Sequence, residues 1–274
     1  MYMHSIGQPG AASPLASIPP ALVFRVVLQG AASLAWCNRR IRLDEDAWLV
    51  LDGRETCSVR LDPELRTRML VVVVSHDDRR AALADRPDVP GPPPVGSVEL
   101  GFADNLRPRG GPAGRRLMAI ARGRDGGWSE ADERGQRLEL VREAWAEEQA
   151  LRRQAARIDC VKRATREQLL RRILLAADFI ASRHDEPISL DEMARAASLS
   201  RFHFVRLFSL VHGETPHAFL RRKRTAVARR HLAVGSACSE AASRAGFGSR
   251  SSLFRNLRKT APADAGSESC SRSA

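Results

Sequence analysis

A chain of 274 residues with 43% hydrophobic content is long enough for one large or two ordinary domains and apolar enough for packed cores, which excludes global disorder. Its formal charge of +12 is unevenly spread: residues 166–262 hold 18 Lys and Arg against 8 Asp and Glu, a net of +10, and the remainder carries only +2. A basic excess confined to one segment is the footprint of a phosphate-backbone binder. The cysteines, Cys37, Cys57, Cys160, Cys238 and Cys270, are odd in number and form no C-x-x-C pair, which argues against a zinc site or disulfide framework and for a reducing, cytoplasmic setting. No basic stretch followed by an apolar core opens the chain, and the apolar run from Met69 to Ser75 is too short to cross a bilayer, so neither a secretory signal nor a membrane partner is expected.

Residues 1–20, with four prolines among Ser, Ala and Gly, read as a flexible arm. Over residues 21–125 the pattern is mostly strand-like. Leu22–Leu28 is a short apolar run; Trp48–Leu51 is another, closed by the turn pair Asp52-Gly53; Cys57–Leu61 alternates; Met69–Val74 suits a strand buried on both faces. Short strands separated by turns predict a small β-barrel or sandwich. Residues 85–114, rich in Pro and Gly, read as loop with a short helix around Val98–Leu106.

Helical periodicity sets in after Gly126. Val141, Ala144, Leu151, Ala155 and Ile158 recur at three-to-four-residue steps, interrupted by Glu148. Residues 126–163 are therefore expected to be a helical connector, either packed on the strands or paired with a second copy as a dimerisation helix. Thr165–Gln168 has capping-box form and opens a stripe of Leu169, Leu170, Ile173, Leu174, Ala177, Ile180 and Ala181.

The most specific signal follows. Ser189-Leu190-Asp191-Glu192 is a capping box that starts a short helix. After a turn at Ser198–Ser200, a second helix buries Phe204, Leu207, Phe208 and Val211 at i, i+3, i+4 and i+7. This helix-turn-helix returns further along: Glu192, Ala194, Ala197 and Leu199 map onto Glu240, Ala242, Ala245 and Phe247 at an offset of 48, and Ser200, Phe204, Arg206 and Phe208 map onto Ser249, Leu253, Arg255 and Leu257 at 49. The extra residue falls at Gly246 or Gly248, Gly246 suiting a left-handed helix end; Ser236 and Ser249 are candidate N-caps. Between the units, Thr215-Pro216 opens a basic helix. About 18 residues of helix span about 27 Å, which sets the two recognition helices near one duplex turn, about 34 Å, apart.

A helix enters the major groove of double-stranded DNA, where Arg takes bidentate bonds to guanine. Arg206 and Arg255 occupy equivalent outward positions, and Phe202 and Phe254 are suited to thymine methyl groups. Arg201, Arg221, Arg222, Lys223, Arg224, Arg229, Arg230 and Arg258 are candidates for phosphate contacts, which position without specifying.

These residues resemble the AraC/XylS family of transcription regulators. The stretch SLDEMARAASLSRFHFVRLFSLVHGETPHAFLRRKR is similar to that family's first helix-turn-helix with its following T-P helix, and SEAASRAGFGSRSSLFRNLRK to its A-x-x-x-G-F-x-S signature. The resemblance implies a seven-helix DNA-binding domain over residues 164–262, with base reading by Phe202, Val205 and Arg206 in the first unit and by Arg250, Ser251, Phe254 and Arg255 in the second. Leu257 stands where the family has Phe, and the family's closing motif is replaced by a Ser/Ala-rich tail, residues 263–274, expected to be disordered. DEDAWLVLDGRETCSV looks like a cupin-type sensor barrel, which implies effector sensing or homodimerisation. The expected fold is thus α+β in two domains: a small cupin-like β-barrel with flanking helices, then an all-α domain of two helix-turn-helix units joined by a long helix. The expected partners are double-stranded DNA, a small-molecule effector, a second copy and RNA polymerase.

No cofactor, metal or catalytic residue is expected. A cupin enzyme needs clustered His and carboxylate ligands, and the barrel segment holds only His76. Two alternatives stay open: a nonspecific DNA binder, and a DNA-repair methyltransferase using the same module, for which Cys37 beside Arg39 and Arg40 is the one faint nucleophile.

Overall fold

The computed structural model describes residues 3–4, 22–36, 39–52, 57–61, 67–84, 101–124, 128–159 and 162–259. The N-terminal half holds β1 (Met3–His4), β2 (Leu22–Gln29), β3 (Ala31–Trp36), β4 (Arg39–Asp44), β5 (Ala47–Asp52), β6 (Ser58–Leu61), β7 (Arg68–Val74), α1 (His76–Leu83), β8 (Asn105–Pro108), α2 (Pro112–Arg124) and α3 (Glu130–Ala156). The C-terminal half is helical: α4 (Arg163–Ser182), α5 (Leu190–Ala196), α6 (Arg201–His212), α7 (Pro216–Ala233), α8 (Cys238–Arg244) and α9 (Arg250–Lys259).

The strands form two antiparallel sheets, one in the order β1-β7-β2-β5-β8 and one in the order β4-β3-β6. Among the described residues no sheet closes on itself: the expected small β-barrel is instead a two-sheet sandwich, the other form the short strands allowed, with helices on its outer side. The reason lies in β2, which, Arg25 apart, is apolar to both faces. Leu22, Phe24 and Val26 pack with Leu117 and Ile120 of α2 and Leu140, Val141, Ala144 and Trp145 of α3, while Val23 and Val27 pack with Leu34, Ile41 and Leu43 of the smaller sheet. A sheet buried on both sides needs a cover on each.

Two expectations in the Pro/Gly-rich segment change. The short helix around Val98–Leu106 is instead an approach to β8, whose residues pair with β5 through Leu49↔Leu106 and Trp48↔Arg107; residues 98–100 lie outside the described ones. α2 begins within the expected loop of residues 85–114: Pro112 occupies its first position, where a missing amide costs nothing, and Ala113, Leu117, Ile120 and Ala121 share its buried side. Met3–His4 of the expected arm joins the larger sheet as β1; the rest of that arm and the tail 263–274 lie outside the described residues.

α3 takes the packed alternative. Its first half buries Leu140, Val141, Ala144 and Trp145 in the sandwich core; Ala155 and Ile158 enter the core of the helical half beside Leu151. Glu148 is buried where the stripe breaks, bonded by Arg107 and Arg152. α4 starts at Arg163, with Lys162 at its cap making no side-chain capping bond, so the box expected at Thr165 lies inside a helix already under way. The helical half has two cores. Ile173, Leu174, Met193, Phe204, Phe208 and Leu220 form one; Val227, Ala228, Ala241, Ala242, Ala245, Phe247 and Leu253 form the other. α7 contributes to both. Among the described residues no helix is long and apolar enough to cross a membrane.

Candidate nucleic-acid interface

The first unit is built from local bonds the sequence dictates. Ser189 accepts from the Glu192 amide at 3.2 Å while Glu192 accepts from the Ser189 amide at 2.8 Å, closing the capping box of α5. The turn follows from two further bonds: Ser198 N donates to Arg195 O at 2.9 Å and Leu199 N to Ala194 O at 3.0 Å, with Ser198 left-handed at φ +51°. α6 then buries Phe204, Phe208 and Val211. Ser200 caps α6 through its carbonyl, which accepts from Phe204 N; its hydroxyl lies 3.1 Å from His203 Nδ1.

The second unit repeats the turn at the same offset of 48. Gly246 N donates to Ser243 O at 2.9 Å and Phe247 N to Ala242 O at 2.8 Å, with Gly246 left-handed at φ +77°. A β-carbon at Gly246 would stand 2.4 Å from the His184 carbonyl oxygen. Glycine is therefore required twice over, for its φ and for the close approach of the first unit's chain. With the turns aligned, the extra residue falls at Gly248. Ser249 caps α9, accepting from Ser252 N at 3.1 Å. α8 is preceded by Ala237 without a side-chain cap, so Ser236 does not take the expected role.

The expected base-reading residues divide by exposure. Arg206 on α6 and Arg250, Ser251 and Arg255 on α9 are exposed, and neither Arg206 nor Arg255 has an ion pair among the described residues. Phe202 is 74% exposed, and its ring sits edge-on to His203 at 6.0 Å. Val205 and Phe254 are half-buried, Val205 against the first core.

The expected phosphate contacts divide too. Arg221 and Arg258 are exposed. Arg201 pairs with Asp191, and Arg222 with Glu214 at 2.7 Å while covering the Phe219 ring. Lys223 and Arg224 are corrected as surface cations. Lys223 is buried, donating to Asp44 at 2.7 Å and to Asp46 at 3.4 Å; Arg224 donates to the carbonyls of His184 and Glu186 at 2.6 and 2.7 Å.

These corrections expose a feature the sequence reading missed. The turn Asp44-Glu45-Asp46 between β4 and β5 is an acidic clasp on α7, taking Lys223 and also Arg230, which pairs with Asp46. Burial would raise the Asp44 carboxyl, but the charge and hydrogen bond of Lys223, with Arg230 behind, hold it below the ordinary carboxylate range. A second joint lies on α4, where buried Asp178 accepts from Arg39 and from Leu106 N at 2.9 Å. Burial there pushes the carboxyl up to about 7 despite Arg39. The signal available in sequence was the acidic triplet at a turn, but its partner lies 179 residues away.

Cys57 is a buried free thiol that burial pushes up, and so neutral, the reverse of an activated nucleophile; Cys37 lies outside the described residues. Among the described residues no group of His, Cys, Asp and Glu could hold a metal ion.

The helix-turn-helix domain family matches residues 193–262. A search of curated proteins gave no match. Among solved structures the chain is similar to an apo form of ToxT from Vibrio cholerae, at 10% identity over 94% of this chain and 92% of that one, with a TM-score of 0.38. It is also similar to the AraC-like transcriptional activator CuxR, at 12% over 81% and 69% with a TM-score of 0.32, and to the xylose-binding transcription activator XylR, at 17% over 46% and 36% with a TM-score of 0.29. Likenesses this distant carry no functional argument. The family match and the twice-built turn agree: residues 193–262 of this chain match a helix-turn-helix domain.

Proposed function

We propose that this chain is a sequence-specific transcription regulator whose helices α6 and α9 read successive major grooves of one duplex. Phe202, Val205 and Arg206 face bases in one half-site, and Arg250, Ser251, Phe254 and Arg255 in the other; Arg201, Arg221, Arg222 and Arg258 take phosphates. The observation that carries the reading is the repeated turn, which presents Arg206 and Arg255 at equivalent exposed positions at the two ends of an 18-residue helix. That length, about 27 Å at ~1.5 Å per residue, suits adjacent grooves on one face of the duplex.

In this reading Lys223 is spent inside the protein, and its role is to fasten α7 to the sandwich. The sandwich is then the sensing half: an effector held there acts on the DNA-binding half through the acidic clasp and the Asp178 joint. Homodimerisation and contact with RNA polymerase complete the proposal for a regulator of this type. The test is selection from randomised duplexes with the full-length chain. The expected outcome is a motif of two half-sites about one turn apart, doubled for a dimer. Selection of no preferred sequence would replace this reading by the nonspecific binder.

A further inference from the structure

The two helix-turn-helix units differ at the first residue of the second helix. Arg201 opens α6 and Arg250 opens α9, equivalent positions at the offset of 49. At the offset of 48 that relates α5 to α8, the counterpart of Asp191 is Ser239. Arg201 is therefore held by a carboxylate that the second unit lacks: its Nε donates to Asp191 Oδ1 and its Nη2 to Asp191 Oδ2.

This is a side-on pair. A guanidinium carries five N–H groups in one plane, and the carboxylate takes the two along the Nε–Nη2 edge. The three that remain lie on Nη1 and Nη2, and the end edge between these nitrogens directs two of them outward in parallel. Nη1 has no partner among the described residues. Both side chains stand at the surface, Arg201 65% and Asp191 46% exposed. Asp191 is itself fixed in place, as the second residue of a short helix that is closed by its capping box and buries Met193 and Ala194.

A duplex offers two acceptors that take two parallel N–H bonds from an arginine: a phosphate and the O6/N7 edge of guanine. Charge separates them. The Arg201–Asp191 pair has no net formal charge, so a phosphate brought to it meets the repulsion of the carboxylate along with the attraction of the guanidinium. Little counterion release is then left to drive the contact. A guanine edge is neutral, so the carboxylate does not oppose it. There the carboxylate holds the fork in one orientation, an ordering that a free arginine undergoes only on binding. Position agrees: the N-terminal residues of a recognition helix reach base edges, and Arg201 is the first residue of α6.

We infer that Arg201 reads a guanine in the first half-site and that Asp191 is the positioning residue that turns it there. The inference rests on the reading of α6 as a major-groove helix, and within that reading it replaces the phosphate role of Arg201. The two units then carry different readers at equivalent places, an oriented arginine in the first and an unbraced one, Arg250, in the second.

The test is selection from randomised duplexes with the full-length parent, Arg201→Ala, Asp191→Asn and Asp191→Glu, followed by affinities for the selected duplex and for its variants at each base pair. Arg201→Ala is expected to erase a guanine preference of roughly 5- to 150-fold at one base pair of the first half-site. Asp191→Asn, similar in shape but uncharged, is expected to cut the same preference severalfold, and Asp191→Glu to retain part of it. The other positions of the motif are expected to persist in every variant, which shows that each is folded and docked. Should Asp191→Asn lose the whole motif, Arg201→Ala and Asp191→Glu decide. Equal loss on all sequences from Arg201→Ala, or tighter binding to all sequences from Asp191→Asn with the motif intact, overturns the inference and returns Arg201 to a phosphate. A parent motif whose every position survives Arg201→Ala also overturns it and leaves the regulator standing, whereas a parent that selects no motif removes both readings.

Discussion

The two helix-turn-helix units share a turn, an offset and an outward arginine, yet they are supported very differently. The first is braced by α3 and α4, and its core is stacked aromatics: Phe208 lies 5.4 Å from Phe204, 5.5 Å from Phe219 and 4.4 Å from His212, centroid to centroid. The second rests on Val227, Phe247, Leu253 and four alanines. Aromatic side chains bury far more area than alanines. The same motif is thus heavily packed in one copy and lightly held in the other, and the difference lies in what stands behind the motif.

That contrast can be broken from either side. The largest effect is expected from Phe208→Ala, at about 3–5 kcal/mol, because it opens the core shared with α3 and α4; chemical denaturation should show the whole helical half losing stability. Leu253→Ala should cost about 2–4 kcal/mol but unfold α8 and α9 alone. Hydrogen exchange would show fast amides there and slow ones across α4–α6, and equal loss in both units would erase the distinction. Gly246→Ala, with its forced left-handed φ and a carbonyl at 2.4 Å, is expected to cost about 2 kcal/mol or more and to weaken duplex binding through the second half-site.

Smaller effects sharpen the comparison. Arg206→Ala and Arg255→Ala should each remove about 1–3 kcal/mol of discrimination, at different positions of the selected motif, whereas Arg221→Ala should weaken binding to all sequences and reduce the salt slope by about one. Uniform loss from all three would remove base reading from the proposal. The least is expected from acid. Burial, aided by the charge of Arg222, lowers the His212 ring from 6.5 to about 4. The folded state therefore keeps the ring neutral while the unfolded state takes a proton. Stability present above pH 6.5 falls as pH drops from there toward 4, by roughly 1–3 kcal/mol. His212→Leu should flatten that part of the pH profile in denaturant titrations.

What was legible in the sequence was local. The Ser189–Glu192 box, the Thr215-Pro216 start and the left-handed glycine at 246 are each decided within a few residues, and the repeat made them mutually supporting. β3 and β4 were harder. In β4 the apolar Ile41 and Leu43 alternate with Arg40 and Arg42, and in β3 alanines dilute the signal. The split of the strands into two sheets was not legible at all, because whether strands join into one sheet depends on edges that alternation does not encode. Lys223 belongs to the same class: Arg221 and Arg222 just before it are exposed, and only a carboxylate distant in sequence distinguishes it from them.

Gly246 resting on the His184 carbonyl has a consequence for the operator. The second unit is seated against the chain that enters the first, between α4 and α5, and this contact holds the pair against swivel about the axis of α7. On the proposed reading, inserting one base pair between the half-sites turns one of them by roughly 35° about the duplex, at 10–10.5 base pairs per turn, and this contact resists following it. The spacing of the proposed target would then be set by a contact that touches no DNA.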